Sequence, residues 1–177
     1  MFSDLQRSAL LDFAKAVIKN RLDGSAYAEP DDPAFTAKRG IFVSLHIHGE
    51  LRGCIGYIFP YMSLVDSVKE MALAAAFRDP RFKPLTQAEF NDLQIEISIL
   101  SELIPVHSNA EIVIGRDGLY IDHPSGSGLL LPQVALEWNW DVPEFLRHLE
   151  QKAGLKACAH QDPETDLYRF EAEIFSA

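Results

Sequence analysis

An arginine and a cysteine stand two residues apart in the segment 51–56, as Arg52 and Cys54. A cysteine thiolate is a strong nucleophile, and nearby positive charge favours its ionised form. The planar guanidinium of arginine matches the geometry of carboxylate and phosphate groups. This pair of residues therefore predicts one of two chemistries: nucleophilic catalysis by Cys54, or the binding of an anionic ligand beside it.

Cys54 also has a structural alternative, which is to be a small buried core residue. That is the commoner fate of an unpaired cysteine. Gly53 and Gly56 bear on the choice, because glycine inside a strand marks the close approach of a ligand or of another stretch of backbone. The sequence leaves these alternatives open.

Two predicted strands position these residues. Residues 41–47 alternate apolar with mixed side chains, and the alternation resumes after Gly49, as in half-buried strands. The two runs are close enough to pair as a hairpin, in the register that places both apolar sets on one face. A loop of two residues would place Val43 opposite Cys54 and mix the faces. We therefore predict a loop of three or five residues.

The predicted register collects polar groups on the other face of the hairpin. It places Ser44 opposite Cys54 and His46 opposite Arg52, and opposed side chains have Cβ atoms about 4.5–5.5 Å apart. Cys54 is then the candidate nucleophile and His46 its candidate base, while Arg52 and Ser44 are candidate substrate-binding residues. His46 and His48 share this face, but only Cys54 offers a third metal ligand nearby, so we predict no metal site.

A second polar segment, residues 77–84, holds two aromatic rings, three cations and one carboxylate. Its candidate substrate-binding residues are Asp79, Arg81 and Lys83. We predict that this segment lies beside the strand described above and joins Arg52 in binding a small anionic ligand, since loops often carry function. In the alternative, it is an ordered turn in which Asp79 pairs with a neighbouring cation.

The composition argues against several classes of protein. The chain has 177 residues, 47% of them hydrophobic, and a formal net charge of −10. It can bury a full core, and we predict one domain over residues 1–177. The sequence has no Lys/Arg cluster of the kind that indicates nucleic-acid binding, and it has no apolar run long enough for a membrane helix. Two cysteines and no signal-peptide pattern favour reduced thiols in the cytoplasm. No Rossmann, Walker or CxxC pattern is present, so no cofactor is predicted.

Helices and strands alternate irregularly along the chain. Helix starts are predicted at Ser3, Ser63 and Asp141, each followed three residues later by a side chain suited to a capped first turn. Further strands are predicted over residues 94–100, 112–115, 119–121, 129–132 and 168–174, with a flexible connector at 123–128. These elements predict the α+β class, with a mainly antiparallel β-sheet flanked by helices.

The string LRGCIG at residues 51–56, followed by DPRF at residues 79–82, resembles the AMMECR1 domain. The stretches LLLPQVA at residues 129–135 and KAGL at residues 152–155 are similar to it as well. The resemblance runs nearly end to end and implies an α+β fold with a larger and a smaller lobe. It also implies a link to the AmmeMemoRadiSam system, whose name reflects association with a Memo-like protein and a radical-SAM protein.

Three functions are compatible with these observations. The first is a ligand or substrate cleft at the LRGCIG strand of a cytoplasmic protein, with the Memo-like and radical-SAM partners that the resemblance implies. The second is an enzyme with Cys54 as nucleophile and His46 as base, which lacks an evident acid to orient His46. The third is a non-catalytic interaction domain. The polar strand face and the cationic loop favour the first two.

Overall fold

The computed structural model describes all 177 residues, which form two compact units. Unit 1 is the larger and comprises Met1–Leu100 with Glu173–Ala177, and unit 2 comprises Ser101–Ala172. The predicted α+β class is confirmed, because four α-helices accompany two antiparallel four-stranded sheets. None of the helices combines the length and the apolar character that a membrane-spanning helix needs.

Unit 1 places two helices on one four-stranded sheet. Its elements are α1 (Asp4–Asp23), β1 (Ile41–Ile47), β2 (Glu50–Tyr57), α2 (Leu64–Phe77), β3 (Leu93–Leu100) and β8 (Ala172–Ser176). The strand order is β2-β1-β3-β8, so β2 forms one edge of the sheet. Apolar side chains of β1 and of both helices make a single core under this sheet.

Local sequence determines where the helices begin. Ser3 and Gln6 form a capping box at the start of α1, and the Ser63 side chain accepts the Asp66 N–H at the start of α2. Both predicted starts are confirmed. Each capped N–H would otherwise lack an intrahelical partner, and such a cap contributes about 1 kcal/mol.

The hairpin of β1 and β2 has the predicted register over most of its length. Val43 lies opposite Ile55, and Ser44 lies opposite Cys54. The apolar residues of both strands therefore share the face that the helices cover, as burial requires.

The loop of this hairpin is shorter than predicted, and a β-bulge compensates for the difference. His48 and Gly49 form a two-residue loop with φ of 52° and 84°, which suits a type I′ turn. The register shifts after Leu45, so His46 lies opposite Leu51 and Arg52 is the extra residue. The predicted pairing of His46 with Arg52 is therefore wrong, because the bulge restores the register that a longer loop would have set.

Unit 2 pairs a second sheet with two shorter helices. Its elements are β4 (Ile104–Pro105), β5 (Gly118–His123), β6 (Gly126–Leu130), α3 (Pro132–Glu137), α4 (Val142–Lys152) and β7 (Asp166–Phe170). The strand order is β4-β7-β5-β6. The predicted start of α4 is confirmed, since Asp141 and Glu144 form a capping box.

Three sequence predictions in the second half of the chain are wrong. Residues 112–115 are not a strand, because the carboxylate of the buried Asp117 accepts the Val113 N–H at 2.8 Å and turns the backbone. Residues 123–128 are the tip of the β5–β6 hairpin and not a flexible connector. Residues 168–174 are two strands in different sheets, separated at Glu171, whose N–H donates to Ser101 Oγ.

Candidate functional site

The peptide groups of Cys54 are held from outside the sheet. Its N–H donates to Asp79 Oδ2 at 2.9 Å, and its carbonyl oxygen accepts from Arg81 Nη2 at 3.1 Å. Because β2 is an edge strand, these groups face away from β1 and have no strand to pair with. The loop that follows α2 supplies the missing partners. The predicted proximity of this loop to the LRGCIG strand is thus confirmed.

Asp79 and Arg81 form a bidentate ion pair. Arg81 Nε and Nη2 donate to the two carboxylate oxygens at 3.0 and 2.7 Å, and the Asp79 side chain is only 1% exposed. The Arg81 guanidinium lowers the pKa of Asp79 well below its ordinary range, with help from the N–H groups of Cys54 and Arg81. Asp79 therefore stays ionised, which a buried carboxylate does only when it is paired and hydrogen-bonded.

The thiol lies on the sheet face opposite the helices. Ser44 Oγ donates a hydrogen bond to Cys54 Sγ at 3.2 Å, and Cys54 is half-buried. It does not belong to the apolar core of unit 1. The neighbouring Gly53 lies on the helix side, where a Cβ atom would stand 2.2 Å from the carbonyl oxygen of Ala75. The glycine therefore allows strand and helix backbones to approach, while the cysteine faces away from that contact.

Arg52 forms an ion pair with Glu89. Its Nε donates to Glu89 Oε1 at 2.8 Å, and its side chain is 14% exposed. The Arg52 guanidinium, together with Thr86, lowers the pKa of Glu89 to about 2. Arg52 and Arg81 both lie over the ring of Phe82, at 5.9 and 5.5 Å from its centroid. The ring thus links the two ion pairs.

His46 and Lys83 contribute no contact to this cluster. The His46 ring makes no hydrogen bond, and the backbone of this residue lies opposite Leu51 and Gln94. Lys83 is exposed and makes no ion pair. The roles of His46 as base and of Lys83 as ligand-binding cation stay predictions.

Two parts of the site were missed by sequence reasoning. Nothing near Glu89 in the sequence marks it as the partner of Arg52, which is 37 positions away. The bulge at Arg52 had a signal, because Gly49 follows His48 as glycine follows asparagine in a two-residue hairpin turn. Taken as such a turn, the pair would have required an extra residue in β2 to keep the apolar faces together.

The arrangement can fix the backbone of Cys54 and leave its side chain free to interact with a ligand. The backbone of Cys54 is held on both sides, while its sulfur accepts from the Ser44 hydroxyl and interacts with the Arg81 guanidinium. No imidazole or carboxylate hydrogen bonds to the thiol. The geometry therefore suits binding and presentation of a group at Cys54 more directly than general-base catalysis.

Comparison with known proteins identifies the family. The sequence model named AMMECR1 matches residues 11–175. A protein of Methanothermobacter thermautotrophicus is 45% identical over 175 residues, covering 94% of this chain and 91% of that protein. Protein MJ0810 of Methanocaldococcus jannaschii is 46% identical over 172 residues, covering 92% and 86%. The crystal structure of the uncharacterized protein PH0010 from Pyrococcus horikoshii is 37% identical with a TM-score of 0.84, covering 94% and 89%. This chain therefore belongs to the AMMECR1 family.

Proposed function

We propose that the Cys54 site binds and presents a small anionic ligand or substrate. One observation carries the proposal: the Asp79–Arg81 ion pair holds the backbone of Cys54 on both sides, whereas the thiol stays outside the core. A cysteine that only filled space would gain nothing from such a fixed backbone. A binding group gains affinity from it, because less freedom is lost when the ligand arrives.

The cations around the thiol set the charge of the proposed ligand. The Arg81 side chain is 55% exposed, so it can meet a ligand while it holds Asp79. Lys83 follows two residues later and makes no ion pair. Arg52, by contrast, is largely buried against Glu89. Arg81 and Lys83 are thus the proposed ligand-facing cations. Arg52 instead packs against the ring of Phe82.

The wider setting of this activity rests on the family resemblance. LRGCIG and DPRF are the segments that carry the resemblance, and they are also the segments that meet at Cys54. We propose that the protein acts in a modification system with Memo-like and radical-SAM partners. Two free thiols support a reducing, cytoplasmic location.

A pair of alkylating reagents tests the charge of the site. Iodoacetate and iodoacetamide react with the same thiol, but only iodoacetate is negatively charged. The rate with iodoacetate divided by the rate with iodoacetamide therefore reports the electrostatic attraction of anions to Cys54. Lys83→Gln should lower this ratio about twofold to fivefold, as expected for roughly 0.4–1 kcal/mol of screened attraction. Lys38→Gln, another exposed lysine of unit 1, is the control and should leave the ratio unchanged. An equal ratio in Lys83→Gln and the unsubstituted protein would remove Lys83 as a ligand-facing cation.

A cysteine-nucleophile enzyme is the second candidate, and one contact favours it. The Ser44 hydroxyl donates to the sulfur at 3.2 Å, which would stabilise a thiolate. p-Nitrophenyl acetate tests this reaction, because a nucleophilic thiol takes its acetyl group and releases nitrophenolate. The enzyme candidate predicts an acetyl adduct at Cys54 and slower adduct formation in His46→Gln. An adduct rate that does not change in His46→Gln would remove His46 as the base.

A further inference from the structure

Unit 2 holds a cavity of about 350 Å³. Its walls come from the turn between β5 and β6, from the segment after α4, and from the loop before β7. The polar side chains that line it include His123, Lys156, Cys158 and Asp162. Ligand pockets have volumes from about 300 to 1,000 Å³, so this cavity suits a small metabolite.

A buried acid fixes one wall of the cavity. Glu150 of α4 is 2% exposed and accepts the N–H groups of Cys158 and His160 at 3.1 and 3.0 Å. It also pairs with His160 Nδ1 at 2.6 Å. Cys158 has a left-handed φ of 64°, a conformation that is uncommon for residues other than glycine. The wall is therefore formed before any ligand binds.

Two glycines bring the opposite wall into place. A Cβ atom on Gly126 would stand 2.3 Å from the carbonyl oxygen of Ala153, and one on Gly128 would stand 3.0 Å from the Ala153 Cβ. Strand β6 can therefore lie directly against the end of α4. This contact sets the hairpin turn, with His123 and Ser125, beside the segment that carries Cys158.

The hydrogen bonding of His123 determines what its ring can offer. Its Nδ1 accepts the Ser125 N–H at 3.0 Å, so the proton of the neutral ring is on Nε2. Nε2 is 4.0 Å from Asp162 Oδ2, which is too far for a hydrogen bond. The side chain of His123 is only 15% exposed. The cavity thus contains a donor and a carboxylate acceptor side by side that are not bonded to each other.

This arrangement argues against a metal ion. His123, Asp162 and Glu164 place possible ligand atoms within 4.8 Å of one another, which resembles a metal site. A metal would need the Nε2 lone pair, however, and that nitrogen carries the proton while Nδ1 accepts from Ser125. The three groups fit a ligand that both accepts and donates hydrogen bonds.

We propose that the cavity binds a free α-amino acid by its charged head group. The ligand carboxylate accepts from His123 Nε2–H and from Lys156, whose ammonium group has no carboxylate partner in the protein. The ligand ammonium donates to Asp162 Oδ2, which accepts no other hydrogen bond, and to Glu164, which has a carboxylate oxygen within 4.8 Å of the His123 and Asp162 ligand atoms. An α-amino acid carries these acceptor and donor groups on adjacent positions, as the unbonded His123–Asp162 pair requires.

Cys158 provides a direct readout, because it lines the cavity and is exposed. Its labelling by iodoacetamide is followed by peptide mapping in the presence of each of the protein amino acids. L-Lactate, which lacks the ammonium group, and ethanolamine, which lacks the carboxylate, are the matched probes. We expect a saturable loss of Cys158 labelling with at least one amino acid and with neither matched probe, while labelling of Cys54 is unchanged.

Substitutions complete the test. Asp162→Asn should abolish the protection of Cys158, whereas Asp92→Asn, which changes the acid beside the exposed His48, should not. The proposal fails if no amino acid protects Cys158 from labelling, or if L-lactate or ethanolamine protects it equally. It also fails if an amino acid still protects Cys158 in the Asp162→Asn variant. Saturable protection by Zn²⁺ alone would also overturn it in favour of a metal site. Protection is read at Cys158, with Cys54 labelling as the internal control, so failure of this proposal is distinguishable from failure of the ligand proposed at Cys54.

Discussion

A buried carboxylate holds the backbone of each cysteine in this protein, but the two carboxylates have different side-chain partners. Asp79 accepts the Cys54 N–H at 2.9 Å and pairs with an arginine. Glu150 accepts the Cys158 N–H at 3.1 Å and pairs with a histidine. In both regions the acid accepts a hydrogen bond from the main chain of the cysteine and does not bond to its sulfur.

The difference teaches what each region can tolerate. Arginine is permanently charged, and Arg81 also donates to the Cys54 carbonyl. Both the N–H and the carbonyl of Cys54 are therefore held by side chains. Glu150 pairs with His160 instead, and the Cys158 carbonyl accepts only the nearby Gln161 N–H, within its own short turn. We therefore expect Cys54 to be the more rigidly placed of the two, and its supporting acid to matter more for stability.

The largest effect should come from Asp79→Asn. The amide cannot neutralise Arg81, and the Cys54 N–H loses a charged acceptor in a buried place. We expect the free energy of unfolding, measured in urea, to fall by about 3 kcal/mol, at the low end for a broken buried pair because Arg81 is half exposed. Asp92→Asn is the exposed control and should change stability by less than about 0.5 kcal/mol. An equally small effect of Asp79→Asn would show that the Asp79–Arg81 ion pair on the Cys54 backbone does not stabilise the fold.

Gly53→Ala tests the close backbone contact beside Cys54. The added Cβ would stand 2.2 Å from the Ala75 carbonyl oxygen, which cannot move without shifting α2. We expect a loss of about 2–3 kcal/mol in urea unfolding. Gly126→Ala should cost a similar amount, since its Cβ would stand 2.3 Å from the Ala153 oxygen. Gly49 has open space but a left-handed φ of 84°, so Gly49→Asn, to a residue that tolerates this conformation, should cost only about 1 kcal/mol.

Glu150→Gln should have a smaller effect than Asp79→Asn. The glutamine oxygen can still accept one N–H, so only part of the network is lost. We expect about 1–2 kcal/mol of destabilisation. Amide hydrogen exchange should accelerate at residues 158 and 160 while the Cys54 amide stays protected. Equal loosening at Cys54 would contradict the separate support of the two cysteines.

The smallest of these effects on stability should come from protonation of Glu89 at acidic pH. The pKa of Glu89 falls from its ordinary 4.5 to about 2 in the folded protein, because Arg52 and Thr86 donate to it. A lowered pKa stabilises the folded state above pH 4.5, and this contribution is lost as the pH falls towards 2. Glu89→Gln should remove less than about 1 kcal/mol of this acid dependence, since the carboxylate is 33% exposed. Acid-unfolding curves that coincide for the two proteins would refute this contribution.

The register at the site could be predicted, but its contacts could be predicted only in part. Alternating apolar residues place Ser44 opposite Cys54, because a shift of one position would expose the core face. The bulge at Arg52 escaped prediction, since a longer loop satisfies the same burial rule. Glu89 escaped because pairing across the fold leaves no local pattern. The proximity of Asp79 to Cys54 was predictable from polar groups that a simple core does not need.

Iodoacetamide labelling of Cys54 across a urea series tests the central claim most directly, namely that the fold holds the backbone of Cys54 and presents its thiol. Peptide mapping gives the rate for Cys54 beside that for the exposed Cys158. We predict that Cys54 is labelled in the folded protein, at a rate that does not change with urea below the unfolding transition. Labelling of Cys54 that appears only as the protein unfolds would contradict the claim and leave Cys54 as a structural residue.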